Sequence, residues 1–370
     1  MQTEITSFRY GRIAYLPFDG PIGDSIKSYG EWAGLEIEFL LTFLNENDIA
    51  LDGGANIGAH TVAFAQKVGP RGRVYSFEAS PDLAGVIELN IHLNRLRNVV
   101  CTNCALGRES GWALIPRVQD GIRQNAGALT VKRADSGAQQ VGMARIEVVS
   151  VDELKLPALT LLKLDLEGGE GAALVGARET IARLQPIVFA EMLSSESAAA
   201  LLEEMEPHGY AVYFCTFPAF NPHNYRHEVR NDFGFAAEAS LLFLPQGHEP
   251  PGVLSGVTVK RIGRFHDVQR WFAQMPRYGD NPAVVPGDAL GRAAVQHEMA
   301  LAAALDQAKQ ITAAYDRSER DREELLLDLE KARIELSNLR RQVNTEQCAA
   351  AIRVLEAGRG MPEQEVRQRG

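Results

Sequence analysis

Apolar positions follow two rhythms along the chain. From residue 49 onward, short apolar runs of strand length alternate with stretches at helical spacing. The pattern predicts strands over 49–52, 73–79 and 99–106, with helices over 57–67 and 80–94 between them. Strand–helix–strand–helix–strand is the half-unit of a doubly wound parallel sheet, so the fold class is α/β. Residues 160–166 are a nearly continuous apolar run broken only by Lys163 and Asp165, the pattern of a parallel strand buried on both faces. A helix follows, opening at Glu167 to Glu170, then a strand over 186–192, a helix over 197–208, and two last strands over 211–215 and 240–244 read as an antiparallel pair at one edge.

Upstream, residues 1–30 read as a small strand or two with a turn, and 31–44 as an amphipathic lead-in helix. Residues 107–150 break the alternation with short strands and Gly-rich loops. That excursion is expected to place the segment 120–129 as a loop over a site.

The second rhythm belongs to residues 301–343. Seam positions from Leu301 through Ile311, Leu325, Leu336 and Val343 step by three and four without a slip, which is a heptad repeat, apolar but for Ser318 and Arg322. A helix that long, about 65 Å at 1.5 Å per residue, leaves an apolar seam that needs a partner. The resulting domain plan is N-terminal strands and lead-in helix over 1–48, an α/β domain over 49–245, a Pro/Gly-rich linker over 246–293, a coiled coil over 294–357 and a disordered tail over 358–370. A homo-oligomer held through 301–343 is expected.

Composition narrows the partners. A formal net charge of -10 with no evident basic patch argues against nucleic acid. No apolar run reaches the roughly 18 residues of a transmembrane helix, and the first residues lack the apolar core of a signal peptide. Four scattered cysteines do not form a disulfide framework, so the expected setting is cytoplasmic.

The chemistry gathers at IALDGGANIGAH, residues 49–60. A strand ending in Asp52 runs into a glycine turn and a helix start, which brings backbone N–H groups and a helix N-terminus to one crevice. One βαβ unit later RVYSFEA ends in Glu78, where a carboxylate can accept from both hydroxyls of a ribose. The turn reads Asp52-x-Gly54-x-Asn56-x-Gly58 and lacks the third glycine register of a dinucleotide loop.

With LDGGANIGAHT (51–61), VYSFEASPDL (74–83), CALG (104–107), KLDLEGGEGAALVGA (163–177) and PIVFAEM (186–192), residues 30–245 resemble the FkbM-type S-adenosylmethionine (SAM) dependent methyltransferases. The resemblance implies a seven-stranded, Rossmann-like class I methyltransferase sheet and SAM as cofactor. It implies methylation of a hydroxyl on a sugar, a glycan or a related metabolite. Carried over by position, Asp52, Gly54, Asn56 and Gly58 would wrap the methionine part. Glu78 and Ala79 would meet the ribose, and Cys104 and Ala105 the adenine. Gly53 and Gly169 stand where the family more often has Val or Ala, and are expected only to loosen the turns.

Methyl transfer to a hydroxyl requires alignment and removal of a proton. Asp165 and Glu167 are the candidate catalytic residues. Either one of them is the base, or the two jointly hold a divalent cation that acidifies the hydroxyl. Two other functions stay open: methylation of nitrogen or of a protein on the same fold, and a non-catalytic coiled-coil assembly protein in a glycan-synthesis system.

Overall fold

The computed structural model describes residues 1–133, 141–234, 236–250, 252, 254, 256–273 and 275. The expected coiled coil, the tail and residues 276–293 lie outside the described residues.

The chain opens with an antiparallel hairpin, β1 (Glu4–Phe8) and β2 (Gly11–Tyr15), followed by α1 (Pro21–Tyr29) and α2 (Gly34–Leu41). Then come β3 (Ile49–Gly53), α3 (Ala59–Val68), β4 (Arg73–Phe77), α4 (Pro81–Leu93) and β5 (Val99–Thr102). Ser80 caps α4 by accepting from the Leu83 N–H, and Pro81 occupies the first turn, where its missing N–H costs nothing. A second, four-stranded sheet is built from β6 (Ala105–Leu106), β7 (Gly111–Pro116), β8 (Lys132–Arg133) and β9 (Met143–Val149), in the order β6-β9-β7-β8. The chain returns to the main sheet with β10 (Leu161–Leu164), α5 (Glu170–Val175), α6 (Arg178–Leu184), β11 (Ile187–Glu191), α7 (Ser195–Met205), β12 (Ala211–Pro218) and β13 (Ala237–Leu244). Two last elements are β14 (Thr258–Arg261) and α8 (Phe265–Ala273).

The main sheet runs β14-β12-β13-β11-β10-β3-β4-β5. Its β11-β10-β3-β4-β5 side is parallel, and β13, β12 and β14 join by antiparallel pairing. Side chains alternate between two cores. Leu51, Leu162 and Val188 pack with Ala173, Ile181 and Leu201 of α5–α7. Ala50, Leu161 and Phe189 pack with Phe39, Phe64 and Val68 of α2 and α3. Helices on both faces explain why these strands read as continuous apolar runs.

Several expectations change. The main sheet has eight strands, because Thr258–Arg261 pairs with β12 and Phe265–Ala273 forms a helix inside the stretch expected to be a linker. The predicted third strand divides after Thr102: its first part stays in the main sheet and Ala105–Leu106 starts the second one. The single helix expected after Glu170 breaks at Gly176, whose backbone presses against the Gly107 carbonyl and leaves no room for a Cβ. A helix, α1, replaces part of the strand pattern expected over 1–30. Gly53 is not a loosened turn: a Cβ there would lie 2.8 Å from Leu106 and 3.1 Å from Leu164.

Candidate functional site

The carboxyl ends of β3, β4, β10 and β11 open into one cavity of about 1290 Å3. Open parallel sheets bind ligands at this end, because helix N-termini and free backbone amides converge there. Typical small-molecule pockets are about 300–1,000 Å3, so this one has room for a cofactor and a second molecule.

The turn after β3 is held tightly. Gly54 (φ 72°) and Ala55 donate backbone hydrogen bonds to the Phe77 carbonyl at 2.9 and 3.0 Å. A Cβ at Gly54 would overlap the Asp165 carbonyl oxygen, so the turn requires glycine. Asn56 adopts φ 54° and its N–H donates to Glu78 Oε2 at 2.8 Å. Gly58, at φ 84°, starts α3 but does not line the cavity.

Glu78 is buried. Its other oxygen accepts from the Ser80 N–H at 2.7 Å, and Asn103 Nδ2 donates to the Glu78 carbonyl. Burial pushes the carboxyl up to about 7, with Asp165 and Asp52 adding negative charge and the two amide donors opposing. Ala79, Cys104 and Ala105 continue the wall on this side.

Asp52 lies elsewhere than expected. It is fully buried behind the turn and does not line the cavity. Thr61 Oγ1 donates to it at 2.6 Å, and Lys163 Nζ sits 3.3 Å away. Lys163 is the cross-strand neighbour of Asp52 and is itself 1% exposed. It also stands 3.3 Å from Asp165 Oδ2, which explains the one cation in an otherwise apolar strand. Burial alone would raise the Asp165 carboxyl, but Lys163, a hydrogen bond with Glu191 and the nearby His60 hold it below the usual carboxylate range. Glu191 is pushed well up by burial and by the Asp165 charge.

Glu167 lines the cavity with its backbone at φ 51°, a left-handed conformation that is costly for a long side chain. Burial, then the charges of Asp165 and Glu170, raises its carboxyl to about 7. Glu170 turns back instead, accepting from the Leu166 and Gly168 N–H groups as a helix-start cap.

The structure thus brings together Gly54, Asn56, Glu78, Ala79, Cys104, Ala105, Asp165 and Glu167 on the cavity wall, and leaves Asp52 and Gly58 behind it. It also adds residues. Glu36 from α2, His60 from α3 and Glu238 from β13 line the same cavity. Glu36 gave no signal in an apolar helical pattern, whereas His60 directly follows the glycine turn. The 120–129 loop does arch over the site: Asn125, Ala126, Gly127 and Leu129 line it, and Gln124 ties the loop to Phe18 and Gly20 through backbone hydrogen bonds of 3.2 and 2.8 Å. Among the described residues, no group of three or more His, Cys, Asp or Glu is arranged to hold a metal ion.

The doubly wound sheet with its glycine turn defines a Rossmann-like domain. Residues 52–212 match the family model described as Methyltransferase FkbM domain. Among solved structures, the chain is similar to a methyltransferase FkbM from Methylobacillus flagellatus, at 17% identity over 54% of this chain and 43% of that one, TM-score 0.33. It is also similar to precorrin-6y C5,15-methyltransferase from Geobacter metallireducens, at 16% identity over 57% of this chain and 87% of that one, TM-score 0.36. A SAM-dependent O-methyltransferase from Thermotoga maritima matches at 14% identity over 66% of this chain and 79% of that one, TM-score 0.33. The chain therefore spans less than half the length of the Methylobacillus protein. No curated protein matches the chain.

Proposed function

We propose that this chain is a SAM-dependent methyltransferase acting on a hydroxyl of a sugar, glycan or related metabolite. The observation that carries the reading is the cavity wall itself: a turn that admits only glycine at position 54, beside a buried Glu78 carboxylate.

The residues present fit the cofactor. Asn56 Oδ1 is buried with no partner among the described residues, an acceptor left for a ligand. Glu78 would take the ribose hydroxyls, with Ala79 beside it. Cys104 and Ala105 would border the adenine, and Gly54 with Asn56 the methionine part. Asp52 and Gly58 would act from behind, by anchoring Lys163 and by shaping the turn. Bound there, SAM would supply an electrophilic methyl group on a sulfonium.

Asp165 and Glu167 stand at the reacting centre in this reading. Lys163 keeps Asp165 ionised, so its carboxylate provides a negative field facing a cation and is a poor proton acceptor. Glu167 accepts the hydrogen bond of the acceptor hydroxyl and orients it, which is where most of the rate gain in an in-line displacement arises. No step is assigned to a divalent cation. We further infer that residues 301–343 hold the protein as a homo-oligomer in a cytoplasmic setting. Sedimentation with and without residues 295–357 tests this, and a monomer in both forms overturns it.

The acceptor is tested by mass spectrometry of glycans and small metabolites from cells with and without the gene. A saccharide that loses one CH2 when the gene is deleted supports the reading. A CH2 lost only from a protein or an amine overturns the hydroxyl assignment.

A further inference from the structure

The proposed reaction needs a group to take the acceptor's proton, and the carboxylates near Asp165 are poorly suited. Asp165 is paired with Lys163, and burial beside the Asp165 charge disfavours the ionised form of Glu191. We propose that His60 is the proton acceptor and that Glu36 is its positioning residue, an assignment that rests on the methyltransferase reading above.

The geometry is that of a braced imidazole. His60 Nε2 lies 2.9 Å from Glu36 Oε1, and both residues are 6% exposed. They come from different helices, α3 and α2, so the bond fixes the ring against rotation. Phe64 packs edge-on to the ring at 5.8 Å between centroids. Both residues line the cavity. A carboxylate only accepts, so Nε2 carries the hydrogen and donates it to Glu36. That leaves Nδ1 as the ring's acceptor. A base whose far nitrogen is held by a carboxylate is the arrangement that activates hydroxyl nucleophiles elsewhere.

Glu36 of α2, Asp165 at the tip of β10, Glu191 at the end of β11 and Glu238 of β13 line the same cavity as the ring, and the Lys163 ammonium stands 3.3 Å from Asp165. In the step, the acceptor O–H bond breaks and its proton goes to Nδ1. The oxygen's electron pair forms the bond to a methyl group, whose own bond to a sulfonium sulfur breaks with its electrons left on sulfur. Charge balances: the donor's positive charge ends on the imidazolium.

The test reads the ring directly. Long-range 1H–15N correlation spectra of the full chain without cofactor, with the signal assigned by its loss in His60→Gln, should show His60 as the Nε2–H tautomer. Glu36→Leu, which removes the acceptor facing Nε2, should lower the share of the Nε2–H tautomer in the same spectra. In cell extracts supplied with labelled SAM, His60→Gln should lower label transfer by about 100- to 10,000-fold. A ring found as the Nδ1–H tautomer overturns the assignment, as does a His60→Gln variant that keeps wild-type transfer, and either result returns the role to Glu167. Loss of S-adenosylhomocysteine binding by the wild-type chain would instead sink the cofactor reading and leave the tautomer result standing.

Discussion

Replacing Lys163 with methionine should be among the most damaging single substitutions in the domain. The ammonium stands 3.3 Å from both Asp52 and Asp165, at 1% side-chain exposure for the lysine and 0% for Asp52. At an effective dielectric near 20, one contact at that distance is worth about 5 kcal/mol before desolvation is subtracted. Removing one partner of a buried pair leaves an uncompensated charge and costs about 3–5 kcal/mol net. At roughly 2–4 °C per kcal/mol for a domain this size, Lys163→Met should melt at least about 6 °C lower. Adding Asp52→Asn keeps an acceptor for Thr61 while removing the stranded charge, so the double variant should recover part of the loss. Urea unfolding of the four proteins at pH 7.5 closes the cycle. The stranded carboxylates gain protons in the folded state, so the defect should shrink as pH falls towards 5. A loss under about 1 kcal/mol, or no coupling between the two sites, would refute the picture of a charge anchored behind the turn.

Three further outcomes follow from the same contacts. Glu78 titrates near 7 against an ordinary 4.5, so the folded protein binds its proton more tightly than the unfolded one. The ligand-free protein should therefore lose stability as pH rises between those values, while affinity for S-adenosylhomocysteine rises up to about tenfold per pH unit until near 7; Glu78→Gln should flatten both curves, and calorimetry with thermal melts at stepped pH checks them. Asn90 is fully buried and joins β2 to the glycine turn, bonding the Ala14 N–H and carbonyl and the Ile57 carbonyl, so Asn90→Ala should cost about 2–4 kcal/mol in urea unfolding. Gly176→Ala should be destabilised beyond an ordinary helix substitution in the same assay, since its Cβ would meet the Gly107 carbonyl.

The parallel half of the sheet was readable because burial on both faces writes itself as nearly continuous apolar runs, as in residues 161–164, broken only by Lys163, and 187–190. The site's glycines and Glu78 were readable because the turn and the strand tip are local features. What escaped was decided by distant partners. Asp52 reads as a ligand-facing acid at a strand end, but its orientation is set by Lys163 and Thr61, one on a neighbouring strand and one on the following helix. Glu36 sits in a helix whose periodicity says only that it packs, and the ring it braces lies in another element. β14 follows a Pro/Gly-rich segment, and only its pairing with β12 makes that short run a strand. The break at Gly176 likewise comes from a backbone contact with Gly107 that no local propensity records.

Methyl transfer by this chain requires the crevice beside Gly54 and Glu78 to take a sulfur nucleoside. Titration calorimetry of the full chain with S-adenosylhomocysteine measures that directly, alongside Glu78→Ala and the cavity-filling Ala79→Trp. Saturable binding at one site per chain, weakened at least about tenfold in each variant, is the predicted result. No binding by the wild-type chain, or equal binding by all three proteins, would contradict it.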